Sequence, residues 1–114
     1  MTAKTIYEIH DAAFARVSAY VILDTTGALV ATVSIKYPTD GAGRLYAYVH
    51  VIGAPMVRGS ASGGGYDKRS AACASAAKAS KDWPDAFRAA MMANAGASWD
   101  RAVSDAGYIV HQAI

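Results

Sequence analysis

Three consecutive glycines, Gly63-Gly64-Gly65, break the chain just past its midpoint, and the two sides read differently. Upstream, apolar and polar residues alternate in short runs. Downstream, Ala-rich stretches carry helix-start and helix-stop residues. Glycine tolerates positive φ and lets a neighbouring backbone come close. The run therefore predicts a sharp turn from an edge strand into a helix packed on a sheet. It also ends in Tyr66-Asp67-Lys68-Arg69, a helix start with two adjacent cations. A helix N-terminus presents unpaired N–H groups and the positive end of a dipole, which suits an anion. Gly63, Gly64, Gly65, Tyr66, Lys68 and Arg69, flanked by Arg44 and Arg58, form a candidate seat for phosphate or a partner's acidic group.

Upstream, residues 4–14 space Ile6, Ile9, Ala13 and Phe14 as a short first helix would; a strand over Thr5–Ile9 is the alternative. Residues 17–24 and 28–37 alternate as strands, joined by a tight turn at Thr25-Thr26-Gly27. Asp40-Gly41 marks a hairpin loop over 38–43. A third strand over 44–52 sends Leu45, Ala47, Val49 and Val51 one way and Tyr46, Tyr48, His50 and Ile52 the other. Pro55 precedes a short fourth strand over 56–61, expected at a sheet edge. Downstream, Asp67 is placed to cap a helix over 67–80. Asp82 is placed to cap a second, with Pro84 in its first turn, ending near Asn94 and stopped by Gly96. Ser98 caps a third that ends before Gly107, and 108–114 reads as a last strand. The expected class is α+β, in a single domain over 1–114. It has one antiparallel or mixed sheet of four to five strands, a short N-terminal helix, and C-terminal helices packed on one face.

Hydrophobic residues make up 54 % and charged residues 18 % of the 114, a folded composition with room for one core. The net charge of +2 is too small to assign a nucleic-acid partner by itself. Its distribution is more informative. The first 27 residues sum to −1, residues 28–69 to +3, and the remainder is neutral, so the positive excess surrounds the glycine run. The single cysteine, Cys73, excludes an internal disulfide framework and a Cys-based zinc site. Its Ala-rich setting reads as a buried small hydrophobe. No run approaches the ~18 apolar residues of a membrane span, and no signal-peptide pattern opens the chain. The expectation is a cytoplasmic protein with no membrane partner.

The glycine run lacks the Lys-[Ser/Thr] ending of a phosphate-binding P-loop, because Gly65 stands where the lysine is needed. It also lacks the third glycine of a dinucleotide fingerprint. His10, His50 and His111 sit in different elements with no metal-ligand spacing, and no nucleophile elbow occurs. Neither an enzyme nor a cofactor is expected. The stripe Tyr46, Tyr48, His50, with Tyr20 and Lys36 alongside, is open to two readings. It is a stacking platform for bases, or the second buried face of a sheet covered on both sides. Trp83, Trp99, Met91 and Met92 lie on the C-terminal helices at core spacing.

Two resemblances extend this reading. Tyr37-Pro38-x-Asp40-Gly41-x-Gly43-Arg44-Leu45, then Met56-Val57-Arg58-Gly59, then Gly64-Gly65-Tyr66-Asp67-Lys68 resembles a family of small proteins encoded by bacteriophages and integrative elements. That resemblance covers the chain from about Ala12. It implies a mobile-element accessory protein acting in a host bacterial cell. Its action would be to bind a host macromolecule, as anti-CRISPR proteins block a host defence complex. Gly63-x-Gly65, Lys68-Arg69-Ser70-Ala71 and Ala76-Ala77 are similar in outline to the double-stranded RNA-binding domain. That implies phosphate contact at the helix start, although Asp67 puts an acid there and the chain has an additional strand and helices.

Overall fold

A computed structural model of the protein describes residues 14–38, 44–62, 68–93 and 98–113. The elements are β1 (Phe14–Leu23), β2 (Leu29–Pro38), β3 (Leu45–Val51), β4 (Val57–Ala61), α1 (Lys68–Ala79), α2 (Asp85–Met92), α3 (Trp99–Asp105) and β5 (Ile109–Gln112). The fold is α+β, as the sequence predicts, with one antiparallel sheet ordered β4-β3-β2-β1-β5 and three helices packed against it. Of the helix expected over 4–14, only Phe14 is described, and it opens β1. The remainder of that helix, the Asp40-Gly41 turn, the Asp67 cap and the Gly96 stop lie outside the described residues.

The strands form where alternation is cleanest, and turn chemistry sets their register. Between β1 and β2, Gly27 takes φ 88°. The Asp24 carboxylate accepts hydrogen bonds from the Thr26 hydroxyl (2.5 Å) and from the N–H groups of Thr26 (2.8 Å) and Ala28 (3.0 Å). A side chain that folds back on its own turn in this way fixes the loop. Beyond it, Tyr20 pairs with Val33, Val33 with Val49, and Val49 with Val57. These side chains line one face, which the helices cover.

The helix-covered face carries Tyr20, Ile22, Ala31, Val33, Ile35, Leu45, Ala47, Val49 and Val51, all buried. Trp83, Phe87, Met91, Trp99 and Val103 close over it from the helical layer. Aromatic edges knit the layers together. Tyr20 meets Trp99 edge-on at 4.9 Å, and Phe87 meets Tyr108 at 5.7 Å. Tyr20 therefore belongs to the core and not to the tyrosine stripe, because it lies in register with Val33 and not with Ser34.

α1 is built for close approach. Ala72, Cys73, Ala74, Ala76 and Ala77 are all buried, which bears out the reading of Cys73 as a small core residue. Against them stands Gly59 of β4, at which an added Cβ would lie 2.4 Å from the Ala76 nitrogen and closer still to the Ala72 carbonyl oxygen. Beside it, the Ser75 hydroxyl accepts from the Ser60 N–H at 3.4 Å, so α1 also satisfies a backbone donor of this edge strand. At the far end of α1, Arg88 of α2 donates to the carbonyls of Ala77 (2.9 Å) and Lys78 (3.4 Å). A cation is favourable at those last-turn acceptors.

Two expected caps are corrected. Pro84, not Asp82, occupies the N-cap position of α2, and no side chain caps it. Proline holds φ at −53° with ψ 136°, so the helix starts only after it. Ser98 does stand at the N-cap of α3, but its side chain makes no cap. The N–H of Trp99, the first helical residue, donates to the Ser70 hydroxyl of α1 at 2.7 Å, a buried bond that ties the two helices. α3 ends, as predicted, before Gly107, which takes φ 103°.

Candidate binding face

Among the described residues no helix packs on the other face of the sheet, and strand register assembles a distinct chemistry there. On β3, Tyr46, Tyr48 and His50 point away from the helices, since Leu45, Ala47, Val49 and Val51 point toward them. Tyr46 sits opposite Lys36 of β2 and Ser60 of β4, and Tyr48 sits opposite Ser34 and Arg58. Pairs directly across an antiparallel ladder lie within side-chain reach, as do diagonal pairs with long side chains. Both diagonals are used here. The Arg58 guanidinium lies over the Tyr46 ring, 4.7 Å from its centroid, and the Lys36 ammonium lies 5.8 Å from the Tyr48 centroid. Cations over tyrosine faces are held by the ring quadrupole. Arg44, just before β3, reaches the Ser60 hydroxyl at 3.5 Å.

No described helix covers the stripe, yet one of its members is buried. Accessibility across the stripe is graded. Tyr48 is only 7 % exposed, Tyr46 is half-buried, and His50 is exposed. The tyrosine rings lie 6.4 Å apart at a tilt of 39°, so the stripe is not one flush platform. Its accessible members are the Arg58–Tyr46 pair and His50, with Lys36 and Arg44 at the margins.

The sheet's charge is one-signed. None of the five strands contains an Asp or a Glu. The described acids sit in the β1–β2 turn (Asp24) or in the helical layer (Asp82, Asp85, Asp100 and Asp105). Lys36, Arg44 and Arg58 are thus the described charged groups on this face of β2–β4.

The candidate phosphate seat is divided. Gly63, Gly64, Gly65 and Tyr66 lie outside the described residues. Lys68 and Arg69 open α1 in the helical layer, and the sheet stands between that layer and the face bearing Arg58. Arg69 is instead an electrostatic neighbour of Tyr20. The Tyr20 hydroxyl is pushed above the usual phenol value chiefly by burial, then by Tyr37, with Arg69 acting in the opposite sense. Arg44 and Arg58 are grouped with the tyrosines and not with Lys68 and Arg69. Lys36 is the residue whose part depends most on register, since it reaches Tyr48 across β2–β3. Alternation alone places it on the same face and says nothing of which ring it meets.

Among the described residues no group of three or more His, Cys, Asp or Glu is placed to hold a metal ion. No described helix is long and apolar enough to cross a membrane. The chain matches no protein-family model, no curated protein and no solved structure.

Proposed function

We propose that this protein is a nucleic-acid-binding module that holds its ligand on the face of the sheet turned away from the helices, across β2, β3 and β4. The observation that carries the reading is the pair of cation-over-tyrosine contacts, Arg58 on Tyr46 and Lys36 on Tyr48, on strands that lack any acid. Cations supply the salt-dependent attraction to phosphate, and aromatic and guanidinium groups give bases a surface. This moves the site away from the glycine turn and onto Lys36, Arg44, Tyr46, His50 and Arg58. The test is binding of labelled RNA and DNA across a salt series. Affinity should fall steeply with salt, and the double change Lys36→Ala with Arg58→Ala should weaken binding and flatten the salt slope by about two contacts. Loss of binding in Lys68→Ala with Arg69→Ala, with the Lys36/Arg58 variant unaffected, would return the site to the helix start.

A second reading is capture of a host protein complex, the antidefence action that the phage-family resemblance implies. One observation favours it. The exposed large apolar side chains Leu29, Ile52, Met56 and Ile109 gather at one end of the sheet, where β1 turns into β2 and β3 into β4. Exposed apolar side chains along one end of a sheet suit a protein partner. A host-lysate pull-down with Ile52→Asp/Met56→Asp as the control tests it. Equal recovery by both proteins would remove the reading.

A further inference from the structure

We infer that the ligand is a single strand, and that one of its bases stacks on the outer face of the Arg58 guanidinium, with Tyr46 as the backing layer. The inference rests on the nucleic-acid reading above and specifies its substrate class. Arg58 is exposed on β4, and its guanidinium turns along the sheet to a neighbouring ring. It lies on the Tyr46 ring at 4.7 Å. That contact fixes a long side chain before any ligand arrives, so less ordering remains to be done on binding. An exposed guanidinium beside a ring keeps a planar cation within a base's reach, and bases stack on such planes as they do on aromatic rings.

The geometry selects the strandedness. Bases in a duplex are already stacked on one another, and only an unpaired strand can turn a base face onto a protein side chain. A duplex on this face would meet the cations through phosphates alone and leave the Arg58–Tyr46 stack without a role. Tyr48 is too deeply buried to act as a platform. The next exposed ring along β3 is His50, four residues from Tyr46, or roughly 13 Å at the rise of a strand. The face thus offers two separated stacking positions. The Lys36 ammonium lies by Tyr48, between the two positions, and Arg44 lies at the margin by Ser60, where phosphates would run. No carboxylate on the strands opposes the backbone that joins the two positions.

The experiment is fluorescence anisotropy of the full chain with a labelled oligouridylate, an abasic phosphodiester of the same length, and the corresponding duplex RNA. Each is titrated against wild type and Arg58→Lys. Lysine keeps the charge and loses the planar fork, and the site is exposed, so the variant folds. The oligouridylate should bind wild type roughly five-fold or more tighter than the abasic strand. Arg58→Lys should bring the two to the same affinity with the salt slope unchanged. Equal binding of oligouridylate and abasic strand by wild type overturns the stacking inference and leaves the nucleic-acid reading standing. Tighter binding of duplex than of single strand overturns the strandedness in the same way. Binding of none of the three at low salt removes both.

Discussion

Gly59→Ala tests the packing on which the whole arrangement depends. Gly59 does not have a positive φ, so the residue is there for space and not for backbone conformation. A methyl group built on it would lie 2.0 Å from the Ala72 carbonyl oxygen, 2.4 Å from the Ala76 nitrogen and 2.9 Å from the Ala76 Cβ. Ordinary carbon contacts begin at about 3.5 Å. Two of the three clashes are with the backbone of α1, which has no rotamer to change, so the helix must back away by roughly 1.5 Å. That opens the seam lined by Ala72 and Ala76. Overpacking of this kind costs about 1–3 kcal/mol, and rigid backbone neighbours place Gly59 at the upper end. At roughly 4 °C per kcal/mol for a domain of this size, Tm should fall by about 12 °C. Differential scanning fluorimetry reads the shift. Adding Ala76→Gly removes only the 2.9 Å contact and adds the helix cost of a glycine, about 1 kcal/mol, so the double variant should melt lower still. A Tm for Gly59→Ala within 2 °C of wild type, or rescue by Ala76→Gly, would refute the close-backbone account.

Ser70→Ala should cost about 1–3 kcal/mol in urea unfolding, because the buried N–H of Trp99 loses its acceptor; Ser70→Thr, which retains a hydroxyl, should recover part of it. Hydrogen bonds from the Thr26 hydroxyl, then from the Ala28 N–H, hold the Asp24 carboxyl below the usual carboxylate range. Its contribution is therefore present above the ordinary carboxylate pKa and is lost as pH falls through the depressed value. Asp24→Asn should flatten the acid limb of a Tm-against-pH profile. Burial raises the Tyr20 phenol, so its contribution holds below about pH 10 and fades as pH climbs through the raised value. Tyr20→Phe should remove that alkaline loss, and an unchanged alkaline limb would show that Tyr20 does not titrate there.

The elements were legible in the sequence wherever one local signal sufficed. β2 and β3 alternate cleanly, Thr25-Thr26-Gly27 is turn chemistry, and Gly107 stops α3 by taking a positive φ. The caps were less legible: Pro84 delays the start of α2 past Asp82, and the buried bond from the Trp99 N–H to Ser70 joins residues 29 apart that no local pattern links. Nor could the sequence say which face of β3 the helices cover, since Tyr46, Tyr48 and Ile52 are as able to form a core as Leu45, Val49 and Val51. A glycine in the neighbouring strand decides it. Only the face that contains Gly59 lets the Ala-rich side of α1 come close enough to seat. Once that side is chosen, pairing of β3 with β2 and β4 leaves Tyr46 beside Arg58 and Lys36 on the other. A one-residue slip of β3 would exchange the two sets, sending tyrosines against α1 and Ala47 and Val49 to the other face. The register that closes the core is thus the register that composes the binding face. A variant that loosens the α1–β4 seam should be tested for ligand affinity as well as for stability.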